Sequence, residues 1–264
     1  MSRTLLIVMT SLGLGFSSLG CGSESEKHEG GAGGSAGTSS SPSGSQLTDA
    51  RDGRVYGLKA FGDQVWMTEN LAVGEPYNPK VSNVVVGDIQ RWCPQTYPDP
   101  ITPSPCDLYG GYYTWAQTMA LPTTCNSTDC SAQIQAPHRG ICPVGFHVPS
   151  KAEFEALASF VANQTGLVAK DDMGRYSQIG AALRTNSACE TPGTEAPSVG
   201  FNGLPSGYAN DTGYVTANGI WTFFQSTTQD PGYSYGWALA CDDDLFFEGF
   251  YYKDHALPVR CLKD

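Results

Sequence analysis

Nine cysteines in a chain of 264 residues constrain the fold more than any other feature of this sequence. An odd count in an exported chain leaves one thiol over, and the position of the spare one is legible. The chain opens on Arg3, runs through Leu5-Leu6-Ile7-Val8-Met9, and continues in small and apolar residues to Gly20-Cys21. A basic start, a short apolar run and a small-residue end describe a secretory signal peptide over 1–20. The run is too short for a membrane span.

Ser18-Leu19-Gly20-Cys21 resembles a bacterial lipobox, with Ser18 standing where Leu is usual, so Cys21 is the expected lipidation site. Setting Cys21 aside leaves Cys93, Cys106, Cys125, Cys130, Cys142, Cys189, Cys241 and Cys261, enough for four disulfides in an oxidising compartment. Eight cysteines allow 105 pairings. Sequence proximity favours Cys93–Cys106, which brackets a proline-dense loop, and Cys125–Cys130, a small closed loop. The C-x4-C spacing of Cys125 and Cys130 also fits half a zinc site, with Cys142 and His138 or His147 as the nearby supply. Export favours the disulfide.

Residues 21–46 form a Gly/Ser-rich linker without apolar periodicity, a tether of about 25–30 Å mean reach. Residues 47–264 are the globular domain, long enough for one sizeable core. The net charge is −11, and −12 once a leader carrying Arg3 is removed. That balance argues against nucleic acid or anionic lipid surfaces as partners.

Within the domain, Arg54–Phe61 and Gln64–Met67 flank Gly62-Asp63, a β-hairpin with a type II′ turn. Residues 72–108 read as a long irregular loop. Tyr109–Met119 becomes a short helix at its end, stopped by Pro122. Cys142-Pro143 marks a turn, Phe146-His147-Val148 a short strand, and Ser150 to about Thr165 an amphipathic helix. Ser150 and Glu153 form a capping box. Phe154, Leu157, Ala158 and Val161 recur at i, i+3, i+4, i+7, and Gly166 is the stop. Residues 177–184 predict a second short helix. Beyond Gly200, aromatic runs alternate with Gly, Asn and Asp turns up to Leu262, the texture of an antiparallel meander.

Several motifs touch chemistry. Gly232-Tyr233-Ser234-Tyr235-Gly236 matches G-x-S-x-G, with Asp242–Asp244 and His255 following in the order of a hydrolase triad. Pro231 before it and the β-like run after it make it a hairpin turn instead, so no catalytic residue is assigned. Asp242, Asp243 and Asp244 are the candidate ligands for a Ca²⁺ ion, although no EF-hand spacing is present. No cofactor is required. Trp221, Tyr233, Tyr235, Trp237, Phe250, Tyr251 and Tyr252 could present stacking faces to sugars or pack in the core, since alternate positions on a strand point to opposite faces. Of these, Tyr233, Tyr235 and Trp237 are the candidate ligand-binding residues.

Asp52-Gly53-Arg54-Val55-Tyr56, Val65–Leu71, Tyr109–Trp115, the Gly140–Leu157 stretch, Gly200–Tyr208 and Val259–Asp264 together resemble the Fibrobacter succinogenes major paralogous domain, in order and over nearly the whole domain. Phe146 and Phe154 stand where that pattern has Trp, and 93–130 is an insert. The family is similar to the C-type lectin fold and to formylglycine-generating enzymes. The resemblance therefore implies an α+β, C-type-lectin-like fold: twisted antiparallel sheets, one or two main helices and long disulfide-braced loops. It also implies the pairs Cys142–Cys261 and Cys189–Cys241. The copper-binding cysteine pair of the formylglycine-generating enzymes has no match here.

The expectation for function is a non-catalytic lipoprotein in the cell envelope, anchored by lipid at the outer membrane or cell surface, binding an extracellular glycan or a surface protein. An enzyme related to the formylglycine-generating type or a hydrolase, and a structural envelope protein, are the alternatives.

Overall fold

A computed structural model describes residues 45–77, 89–93, 105–166, 170–171, 174–189, 193, 196, 198–211 and 214–264. The leader, Cys21 and all but the last two residues of the tether lie outside them, as does most of the proline-rich 94–105 segment. The first elements are strands β1 (Gln46–Thr48), β2 (Val55–Phe61), β3 (Gln64–Met67), β4 (Glu75–Tyr77) and β5 (Gln90–Trp92). Helix α1 (Pro105–Tyr109), β6 (Tyr112–Tyr113), helix α2 (Trp115–Thr118), β7 (Phe146–His147), helix α3 (Lys151–Thr165) and helix α4 (Ile179–Leu183) follow. The chain closes with β8 (Tyr208–Ala209), β9 (Val215–Thr216), β10 (Trp221–Asp230), β11 (Tyr233–Ala240), β12 (Phe246–Tyr252), β13 (Leu257–Pro258) and β14 (Leu262–Lys263).

The protein is α+β, with more sheet than helix. One sheet runs β1-β2-β3-β14-β7, a second β10-β11-β12, a third β13-β6-β5-β4, and β8 pairs with β9. All pairs are antiparallel except β4 with β5. The hairpin joining β2 to β3 turns at Gly62-Asp63 with φ +62° at Gly62, as the first central residue of a type II′ turn requires.

Helix α3 follows the local code. Ser150 accepts from the Glu153 amide while the Glu153 carboxylate accepts from the Ser150 amide, and Gly166 closes the helix in the left-handed conformation. Its apolar face places Phe154 at the centre of the main core. The Phe154 ring lies 5.0 Å from Trp66 and stacks at 5.8 Å on Trp237. Phe224 and Phe246 close the cluster around it. A second core gathers Tyr56, Met67, Tyr113, Trp115, Phe146 and Val259 around the Cys142–Cys261 bond.

Four disulfides join Cys93 to Cys106, Cys125 to Cys130, Cys142 to Cys261 and Cys189 to Cys241, the four pairs expected. Zinc has no thiolates here, because Cys125, Cys130 and Cys142 are all bonded. His138 in turn shares a hydrogen bond with the Met119 carbonyl.

Two expectations need correction. Residues 72–108 are not wholly irregular, since β4, β5 and α1 form within them. The aromatic runs after Gly200 are not one meander. Only β10, β11 and β12 form a continuous sheet. After Tyr252 the chain turns, and the buried Lys253 ammonium donates to the Thr128 carbonyl and lies 4.6 Å above the Trp115 ring. That anchorage redirects β13 onto β6 and β14 between β3 and β7.

Candidate functional site

The three-stranded sheet is longer than the helix that covers it. On one face of β11 stand Tyr233, Tyr235, Trp237 and Leu239, opposite Tyr252, Phe250, Glu248 and Phe246 of β12. Helix α3 buries the inner end of this face. Its first residue, Lys151, marks where the cover stops: the ammonium pairs with Glu248 at 2.5 Å. Beyond Glu248 nothing among the described helices lies over the sheet. Burial therefore falls along each strand, from buried Leu239 and Phe246 to exposed Tyr233 and Tyr252.

The uncovered end is an aromatic ledge. Tyr233 is 37% exposed, Phe250 70% and Tyr252 55%. The Tyr233 ring lies 5.1 Å from Tyr252 at 33° and 5.7 Å from Phe250, edge to face. A hydrogen bond to Tyr252 raises the Tyr233 pKa above its ordinary value. Polar groups rim the ledge. The Tyr235 hydroxyl donates to Asp230, and that bond raises the Tyr235 pKa. Gln229, opposite Ser234, lies on the other face of the sheet, where it donates to Asp129 at 2.6 Å. Apolar faces with hydrogen-bonding rims suit a ligand that has both, and aromatic rings supply large contact area at low entropic cost.

The residues singled out from sequence fare differently. Tyr233 and Tyr235 belong to the ledge. Trp237 does not: it is 1% exposed, stacked on Phe154 and 4.7 Å from Phe246, so it is core and offers no face to a ligand. Phe250 and Tyr252 of β12, in the wider set of stacking candidates, complete the ledge, and the overhang of their strand past α3 is a tertiary fact.

Asp242, Asp243 and Asp244 do not converge. Asp242 and Asp243 are exposed, whereas Asp244 is buried, holds φ +58° and pairs with the buried Arg184 guanidinium. Burial, then the neighbouring Asp242, raises the Asp243 pKa. With its one buried carboxylate neutralised by Arg184, the triplet is a structural turn and not a calcium cage. Among the described residues no group of three or more His, Cys, Asp or Glu is placed to hold a metal ion.

Ser234 is buried on the face of β11 opposite the ledge and donates to Gln225 at 3.3 Å. The strand runs straight through it, so the sharp strand-to-helix elbow that exposes a nucleophile is not formed. His255 stacks on Tyr208 at 5.3 Å. Cys189 and Cys241 are bonded to each other, and neither is a free thiolate.

A second concavity of about 530 Å³ lies on another part of the domain. Arg54, Tyr56, Glu69, Asn70, Gly110 and Asn202 line it, so four of the sequence stretches that carry the family resemblance meet there. Its floor is structural. Asn70 accepts from two nitrogens of the buried Arg260 guanidinium and donates to the Tyr109 carbonyl. Arg54 is already engaged by Asp107 at 3.3 Å.

Residues 60–263 match the family model of the Fibrobacter succinogenes major domain. Neither a curated protein nor a solved structure matches the chain.

Proposed function

This chain belongs to the Fibrobacter succinogenes major domain family, whose name specifies no chemistry, and we propose from the ledge a non-catalytic binding module for an extracellular polysaccharide. The observation that supports this reading is the run of three neighbouring, exposed rings, Tyr233, Phe250 and Tyr252, with the Asp230 carboxylate at its rim. Sugar rings have apolar faces that stack on aromatics and hydroxyls that donate to a carboxylate such as Asp230. The domain is read as C-type-lectin-like, held on a lipid at Cys21 by the Gly/Ser tether at the outer membrane or cell surface. Calcium is not part of the proposal, because Asp244 is engaged by Arg184.

A glycan array probed with the full chain, with and without calcium, tests the reading. Binding to at least one polysaccharide, unchanged by calcium and weakened about fivefold by Phe250→Ala or Tyr252→Ala, is the expected result. Blank arrays under both conditions, or binding indifferent to both substitutions, would sink it. Release of the protein from the membrane fraction by Cys21→Ala tests the anchor separately.

A further inference from the structure

We propose that the free edge of β12 pairs with β12 of a second copy of this chain, joining two three-stranded sheets into one of six strands. The edge is defined by hydrogen bonds. Phe246 directs its amide and carbonyl away from β11, exchanging both with Tyr176 at 2.9 and 3.0 Å. Outward direction alternates along a strand. The amides and carbonyls of Glu248 and Phe250 therefore face outward as well. They find no backbone partner among the described residues, because the chain before Tyr176 folds back in a turn, with Gly174 bonded to Asp171 and Asp171 to Arg175.

This edge has few of the devices that keep strands apart, and its one charge, Glu248, is already paired with Lys151. Phe246–Tyr252 reads FFEGFYY, with no proline and no lysine, and its pairing with β11 has no bulge. Its most exposed side chain is Phe250, 70% exposed. The part of the edge beyond Phe246, Glu248–Tyr252, with no backbone partner among the described residues, is a template for another strand.

The occupant follows from self-complementarity. Antiparallel pairing about a two-fold axis at Phe250 sets Phe250 opposite itself and Glu248 opposite Tyr252 of the second copy. No like charges meet. The alternative axis, at Gly249, would put Tyr252 of the second copy where Tyr176 already sits beside Phe246. The chosen register also answers an orphan: Glu248 Oε1 is buried without a hydrogen-bond partner among the described residues, and the pairing brings the Tyr252 side chain of the second copy alongside it. Residues directly opposite on paired strands share a face, so the two ledges become one platform. That last consequence rests on the glycan reading; the pairing does not.

Sedimentation equilibrium of the full chain, without glycan, tests the pairing. The wild type is expected to dimerise, more tightly as salt screens the −11 charge of each copy. Phe250→Lys sets two ammonium groups opposite each other and is expected to weaken the dimer at least about tenfold with an unchanged melting temperature. Phe250→Pro removes only an outward amide and is expected to do the same. Phe250→Cys is expected to cross-link to itself, since facing residues lie about 5.5 Å apart at Cα, whereas Val55→Cys, exposed on another sheet, does not. A wild type that stays monomeric at every concentration, or a dimer indifferent to both Phe250→Lys and Phe250→Pro, overturns the proposal. Because the readout is mass, its failure leaves the glycan reading standing, and a blank glycan array leaves the dimer standing.

Discussion

His147 Nε2 lies 2.9 Å from Glu153 Oε1, so the residue that caps helix α3 also grips the strand before it. The other imidazole nitrogen lies 2.8 Å from Asp264 beside β14. Burial pushes the His147 pKa down, but the hydrogen bonds and charges of Glu153 and Asp264 outweigh it, and the net value is above the ordinary 6.5. For Glu153, burial pushes up while His147 and Ser150 pull down, and the net value is below 4.5. The raised histidine contributes stability that is complete below 6.5 and is lost as pH rises through its folded value. The lowered glutamate contributes stability that is complete above 4.5 and is lost as pH falls through its folded value. Stability from this pair therefore peaks between about pH 4.5 and 6.5. Denaturant titrations across pH 4–9 check this, with His147→Gln expected to flatten the alkaline side.

Cys142 and Cys261 close a loop of 119 residues, against 5 for Cys125 and Cys130. Loop-closure entropy then assigns about 5 kcal/mol to the first bond and about 2 kcal/mol to the second. Replacing Cys142 and Cys261 together by Ala is expected to lower the unfolding free energy by more than twice the loss from the Cys125/Cys130 double replacement. Equal losses in urea melts would show that strain or residual structure, not loop length, governs these bonds.

The same cysteines show how far sequence reaches. Short loops paired Cys93 with Cys106 and Cys125 with Cys130, because proximity along the chain implies proximity in space. The long-range pairs needed the family resemblance. Helix α3 was legible to its caps because Ser150, Glu153 and Gly166 act within one turn of the helix end. Trp237 was misplaced for the opposite reason. Alternation assigns Tyr233, Tyr235 and Trp237 to one face, but the point at which α3 stops covering that face is fixed by the distant contact of Lys151 with Glu248. The His147–Glu153 bond and the outward-facing edge of β12 were invisible for the same reason: each depends on a tertiary neighbour, Asp264 or Tyr176.

Arg260 is fully buried with no carboxylate in its first contacts. Asn70 Oδ1 accepts from Nε at 3.1 Å and from Nη2 at 2.7 Å, the Phe201 carbonyl accepts from Nη1, and the guanidinium lies 4.5 Å over the Phe201 ring. Burial pushes its pKa down to about 9, with the Glu69 charge opposing. Asn70→Ala removes the acceptor that serves two of its nitrogens and is expected to cost about 3 kcal/mol or more, the penalty of leaving a buried charge short of partners. Asn70→Asp keeps the acceptor geometry and supplies a counter-charge, so it should retain most of the stability. An Asn70→Ala protein with wild-type thermal stability would mean that water replaces the amide.

Trp237 and Tyr252 lie on the same face of one sheet, and their substitutions should separate core from ledge. Trp237→Ala removes a fully buried ring that touches Phe154, Tyr176 and Phe246 and is expected to cost about 3–5 kcal/mol. Tyr252→Ala, at an exposed position, is expected to stay within about 0.5 kcal/mol of wild type. Trp237→Phe is the informative intermediate. The indole Nε1 is buried without a hydrogen-bond partner among the described residues, so the substitution loses packing volume and at the same time removes an orphaned donor. The two effects oppose each other, and the net cost should be below about 1.5 kcal/mol. A Trp237→Phe cost as large as that of Trp237→Ala, read from urea midpoints at constant slope, would mean that the indole nitrogen has a partner after all, with an internal water as its acceptor.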